Sequence, residues 1–147
     1  MNDPLRRLAM KLLARREHSC AELEQKLSRA GDAAAAAAVV EELRRSGLAS
    51  DRRFAESYIR AHAERVGAGR LRQALRGKGV DAEIVDGCLA DAALPDELAR
   101  ARAIWQRKFG STPVDRKEWA KQARFLQGRG FSGETIHRLL RAPEDES

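Results

Sequence analysis

Aromatic residues make up only 5% of this 147-residue chain, two Trp, one Tyr and four Phe, and that scarcity limits any single core. Aromatic side chains bury the most apolar area apiece, so thin, alanine-lined helix contacts are expected instead. Cysteine is equally scarce: Cys20 and Cys88 are too few for a disulfide framework and lack metal-site spacing, so both read as small buried hydrophobes. No run approaches the ~18 consecutive apolar residues needed to cross a bilayer. The opening MNDPLRRLAMKLLARRE sets basic residues among its apolar ones, without the order of regions found in a signal peptide. A cytoplasmic protein with no membrane association is expected.

Catalytic constellations are missing as well. His18, His62 and His137 lie far apart, none in an H-E-x-x-H arrangement or beside a cysteine at metal-ligand distance. Gly67-Ala68-Gly69 and Gly77-Lys78-Gly79 follow helices and fit neither a Walker A loop nor a strand-to-helix dinucleotide turn. Glu41-Glu42 falls on a charge-rich helix, where solvation or i to i+4 pairing is the default. A protein without enzymatic activity, cofactor or metal is expected.

What remains is a helical composition. The chain is rich in Ala, Leu, Arg and Glu, 34% of it is charged, and its net charge is +6 with a pI near 9.9. Such a balance favours helix and points to an anionic partner, whether nucleic acid or an acidic protein surface.

Helical periodicity then organises the chain. Leu5, Leu8, Ala9, Leu12 and Leu13 form an apolar stripe. Ser19-Cys20-Ala21-Glu22 reads as a capping box opening a second helix with Leu23 and Leu27 inside. The run Ala33–Ala38 with Val39, Val40 and Leu43 reads as a third helix, stopped at Gly47. Asp51 opens the next, carrying Phe54, Ala55, Tyr58, Ile59 and His62 on one face. A helix from about Arg70 to Lys78 ends at Gly79, and Asp81 caps another through Ile84, Val85, Cys88 and Leu89. Pro95 is placed in the first turn of a helix carrying Leu98, Ala103, Trp105 and Phe109. Asp115 to Leu126 forms a further helix, and Ser132 caps the last, through Ile136, Leu139 and Leu140.

The pattern Leu-x-x-x-Gly recurs at Leu27/Gly31, Leu75/Gly79 and Leu126/Gly130, spaced by 48 and then 51 residues, each time between two helices. Leu43/Gly47 repeats it at an ordinary helix stop, so the spacing carries the argument for an internal repeat. The expected fold is all-α: three tandem three-helix repeats, residues 1–49, 50–94 and 95–142, in an elongated, curved array, followed by a disordered acidic tail at 143–147. Gly79 and Gly130 are expected at positive φ, where glycine carries no steric cost.

Positive charge clusters in the second and third repeats. Between Arg65 and Gly79 stand Arg65, Arg70, Arg72, Arg76 and Lys78 with no acid among them. At ~100° per residue, Arg72 and Arg76 share a stripe away from Leu71 and Leu75. Lys117, Lys121 and Arg124 share another opposite Trp119, Ala123 and Leu126, with Arg129 at the helix end. These nine residues are the candidate site for a protein partner or for single- or double-stranded DNA, with an ordinary solvated face as the alternative. Sequence-specific helix-turn-helix reading is disfavoured, because the helices after Gly79 and Gly130 present mainly Asp81, Glu83 and Asp86 or Glu134, Thr135 and Arg138, and acids repel phosphates. A nucleic-acid binder, a transcription regulator and a helical adaptor all remain open on these residues.

Three sets of residues resemble one known family. Gly47-Leu48-x-Ser50-Asp51, Phe54-Ala55, Tyr58-Ile59, Gly69 and Leu75-x-x-Lys78-Gly79-Val80 look like the central pattern of the RecX family. Arg15-Arg16-Glu17-His18-Ser19 with Glu22-Leu23 and Lys26-Leu27 matches earlier in the chain, and Phe125-Leu126-x-x-Arg129-Gly130-Phe131-Ser132 matches later. The chain departs from the pattern at Ala74, where the family often has an acid, and in its alanine run. The resemblance implies a non-enzymatic helical protein, expected as a monomer. Such a protein binds the filament of the recombinase RecA on single-stranded DNA and restrains filament growth, strand exchange, ATPase and coprotease activities.

Overall fold

A computed structural model describes residues 3–141, and the proposed acidic tail at 143–147 lies outside the described residues. Among these residues there are nine helices and no strands: α1 (Pro4–Arg15), α2 (Cys20–Ser28), α3 (Ala33–Arg45), α4 (Asp51–His62), α5 (Ala68–Gly77), α6 (Ala82–Asp91), α7 (Glu97–Lys108), α8 (Arg116–Gly128) and α9 (Gly133–Leu139). No helix among them is long and apolar enough to cross a membrane. Pro95 precedes α7 instead of opening it, because Asp96 takes the cap and accepts from the Leu98 N–H.

The described chain divides into two compact units. One comprises the chain up to Tyr58 with Ala74–Cys88, the other Ile59–Gln73 with the chain from Leu89 onward. The middle three-helix segment therefore contributes to both.

In the first unit Leu23 and Leu27 of α2, Val39, Val40 and Leu43 of α3 and Ala9 of α1 form the core, with Leu5, Leu8, Leu12 and Leu13 packed around it. Alanine at position 36, fully buried, lets α3 approach closely. The capping box is present: the Ser19 hydroxyl accepts from the Glu22 N–H at 3.0 Å and the Glu22 carboxylate from the Ser19 N–H at 3.1 Å. The Ser19 hydroxyl also donates to the Lys78 carbonyl at 2.7 Å, so one buried side chain serves two helix ends. Gly79, at φ +84, follows α5, and the Val80 N–H returns to the Leu75 carbonyl at 3.0 Å. A Cβ here would lie 2.5 Å from the Ala21 side chain.

The second unit packs Ala101, Ile104 and Trp105 of α7 against Leu126 of α8, Phe131, and Ile136 and Leu140 at α9. Its two indoles both find acceptors, as buried Trp requires. Trp105 Nε1 donates to Gln122 Oε1 at 2.7 Å, and Trp119 Nε1 donates to the Leu140 carbonyl at 2.8 Å. Gln122, only 1% exposed, in turn donates to the Ser111 carbonyl and the Glu118 carboxylate, both at 3.2 Å.

The turn between α8 and α9 touches the start of α5 backbone to backbone. Gly67 N–H donates to the Arg129 carbonyl at 2.6 Å and Gly69 N–H to the Gly130 carbonyl at 3.1 Å. Side chains would block this approach, since a Cβ at Gly67 would stand 2.7 Å from the Gly130 oxygen.

Candidate functional site

The end of α4 and the turn after it, residues 61–66, present carbonyls left over by the helix, and in the second unit arginines take them. Arg100 of α7 donates Nε and Nη2 to the Ala63 carbonyl at 3.2 and 3.0 Å, and Nη2 to the Val66 carbonyl at 2.6 Å. Arg107, two turns along the same face, donates to the Glu64 carbonyl at 3.2 Å. Arg129 donates to the Arg65 carbonyl at 3.1 Å, and Arg65 to the Ala61 carbonyl at 3.1 Å. Guanidinium charge also complements the negative end of the helix dipole. Burial lowers the Arg100 pKa and Glu97 opposes the shift; its ordinary value is so high that the side chain stays charged.

This cage divides the nine sequence-predicted residues. Arg65, Arg70 and Arg129 engage backbone carbonyls, Arg70 reaching Gly128 at 2.7 Å. Lys117, Lys121 and Arg124 are exposed along α8, on the expected stripe. Arg72 and Arg76 are exposed one turn apart on α5, while Leu71 and Leu75 are fully buried. Lys78, in the first unit, has its ammonium 3.6 Å from Glu22 Oε2.

Around Phe125 the second unit forms a cleft of about 490 Å³ lined by Arg65, Arg107, Lys108, Arg129 and Ile104. Arg107 and Lys108 were not among the sequence candidates. Arg100, Ile104 and Arg107 do stand at the i, i+4, i+7 spacing of one helix face. A charge count on that helix would have found the stripe, but not that it faces carbonyls.

In the first unit a second charged group surrounds His18, itself only 2% exposed. Its Nδ1 lies 3.1 Å from the Arg16 carbonyl and its Nε2 2.9 Å from Lys26 Nζ. The ammonium can only donate, so Nε2 accepts and Nδ1 carries the proton. Burial holds the His18 pKa below 6.5; the Arg16 carbonyl opposes this, and the Arg16 and Lys26 charges add to the lowering, with Glu22 opposing. Glu22 is pushed up by burial, yet the Ser19 N–H, Arg16 and Lys78 outweigh this and keep its carboxyl below the usual range. With a depressed folded pKa the unfolded state takes up the proton first, so stability from neutral His18 is present above about pH 6.5 and declines as pH falls below it. Between pH 7.5 and 5 the wild-type denaturation midpoint should therefore fall further than that of His18→Gln, which keeps an acceptor but does not titrate. Equal slopes would contradict this assignment.

No group of three or more His, Cys, Asp or Glu among the described residues is placed to hold a metal ion.

Comparison with known proteins places similarity along nearly the whole chain. The first, second and third three-helix domains of RecX match residues 6–43, 50–89 and 95–140. The chain is 45% identical over 139 residues to the regulatory protein RecX of Leptothrix cholodnii, covering 94% of this chain and 88% of that one. It is 42% identical over 148 residues to that of Halorhodospira halophila, covering 99% and 91%. The fold resembles the crystal structure of RecX from Lactobacillus salivarius with a TM-score of 0.77 at 21% identity, over 94% and 93% of the two chains.

Proposed function

Since the chain belongs to the RecX family of regulatory proteins, we propose that it binds the RecA filament on single-stranded DNA. Binding restrains filament growth, strand exchange, ATPase and coprotease activities. The observation that carries this reading is the ordered match of all three RecX domains across residues 6–140. The three repeats, 1–49, 50–94 and 95–142, each contribute contacts that are weak singly, and linkage multiplies them through effective concentration. The protein acts in the cytoplasm as a monomer, by binding and without catalysing a reaction. Exposed cations support an anionic target: Arg72 and Arg76 on α5, and Lys117, Lys121 and Arg124 on α8. Arg65, Arg70, Arg129 and Lys78 contribute charge beside these.

Capture on RecA filaments assembled on single-stranded DNA, with the DNA alone and free RecA as controls, tests the reading. Binding to the filament alone supports it; equal binding to bare DNA, weakening steeply with salt, would identify an independent nucleic-acid binder. The double variant Arg72→Glu/Arg76→Glu should need about tenfold more protein for half-inhibition of RecA. Each exposed charge contributes up to ~1 kcal/mol, and reversing two exceeds the ~1.4 kcal/mol of a tenfold change. Unchanged inhibition at unchanged helicity would remove these residues from the site.

A further inference from the structure

The cleft around Phe125 differs from the open basic stripes in combining apolar lining, Phe125 and Ile104, with four cations. We infer that it receives an acidic peptide segment bearing an apolar anchor residue, carried by a protein subunit of the filament. For the identity of that partner the inference rests on the filament-binding reading; the chemistry of the cleft stands by itself.

Its lining holds four cations, Arg65, Arg107, Lys108 and Arg129, against Glu64. The three guanidinium groups are already held in place by the carbonyls of Ala61, Glu64 and Arg65, with Arg65 Nη2 also 3.4 Å from His62 Nδ1. A guanidinium has five donors in a fixed plane, so the remaining N–H groups are presented in set directions. Preorganised forks of this kind suit carboxylates, which accept two parallel hydrogen bonds.

Carboxylates and phosphates share that preference, and Phe125 separates them. Its ring carries Lys108 Nζ at 5.5 Å and Arg129 Cζ at 5.0 Å from the centroid, with Phe109 edge-on at 5.4 Å. A nucleobase stacking on Phe125 must displace these neighbours, losing cation–π attraction. Without stacking, nucleic acid gains only phosphate contacts, which the exposed row of Lys117, Lys121 and Arg124 on α8 offers equally. An aliphatic or aromatic side chain needs no stacking on the ring face and can fill the space beside Phe125 while flanking carboxylates meet the lining cations.

The test uses the full chain and three fluorescent probes of equal charge: a short Asp/Glu peptide with a central Leu-Phe pair, the same peptide with Gly-Ser in that place, and oligo-dT. The Leu-Phe peptide should bind about tenfold more tightly than the Gly-Ser peptide, since burying one large apolar side chain is worth ~1.5 kcal/mol or more. Arg107→Glu/Lys108→Glu should weaken Leu-Phe binding at least tenfold, while Lys117→Glu/Lys121→Glu should leave it within twofold. Carbodiimide coupling of the peptide to the unmutated protein should join its carboxylates to Lys108, a readout independent of any variant's folding. Equal affinity for both peptides, coupling to Lys117 or Lys121 in place of Lys108, or oligo-dT binding that depends on Arg107 and Lys108 would each overturn the assignment. A protein that inhibits RecA but ignores the Leu-Phe peptide overturns the cleft assignment alone. One that captures the peptide at Lys108 but not the filament supports the cleft and overturns the filament reading.

Discussion

A Gly130→Ala protein should unfold about 5–15 °C below wild type, a loss of roughly 2–4 kcal/mol. Two costs combine at this position. Gly130 has φ +93, a conformation in which an L side chain is strained by ~1–3 kcal/mol. The added Cβ would also meet the backbone nitrogen and Cβ of Arg70, both anchored in α5 and unable to rotate away. Relief requires the α8–α9 turn to withdraw from α5, and that withdrawal breaks the bonds from Gly67 N–H to the Arg129 carbonyl and from Gly69 N–H to the Gly130 carbonyl. Gly128→Ala, two residues earlier, serves as the control. Its Cβ meets nothing within 4 Å and it lies at the end of α8, so alanine should be neutral or stabilise by up to ~1 kcal/mol through helix propensity. Thermal denaturation followed by circular dichroism separates the two, and equal midpoints would contradict the close approach.

Arg100→Met should cost ~2–4 kcal/mol in denaturant unfolding, because it keeps the aliphatic stem and removes three charge-assisted bonds at once. The carbonyls of Ala63 and Val66 lose those partners, and the positive charge leaves the α4 C-terminus. Amide exchange should accelerate around residues 59–66. Arg100→Lys restores the charge but not the fork, and should recover about half the loss. Arg107→Met, with its single 3.2 Å bond from an exposed side chain, should cost under ~1 kcal/mol. A similar loss for Arg100→Met and Arg107→Met would mean that the cage acts by charge and not by hydrogen bonding.

Much of the local architecture was legible because it depends on neighbours in sequence. The Ser19-Glu22 capping box, the Ser132 cap and the alanine-rich α3 all appear with the partners their spacing calls for. Positive φ at Gly79 and Gly130 follows from the same local logic, a helix that must stop and turn. The basic stripes on α5 and α8 were legible for this reason too, since helical spacing alone puts Lys117, Lys121 and Arg124 on one side.

Other features depend on which distant groups a side chain meets. Arg70 and Arg129 read as basic candidates in the sequence; Arg70 is exposed, and both also bind carbonyls, of Gly128 and Arg65, that the sequence does not reveal. Gln122 reads as a polar helix residue but is buried, bridging Trp105, Ser111 and Glu118. Pro95 reads as a helix start, and the Asp96 cap moves that start to Glu97.

By itself the sequence determined the nine helices of the described residues, their repeat, their glycine stops and the family, because capping, propensity and periodicity act over one or two turns. Only the tertiary structure decided which cations bind backbone carbonyls. A guanidinium's role depends on whether an unpaired carbonyl lies within about 3 Å of it. That distance is fixed by packing between segments more than thirty residues apart, as Arg100 is from Ala63, and helical periodicity carries no record of it.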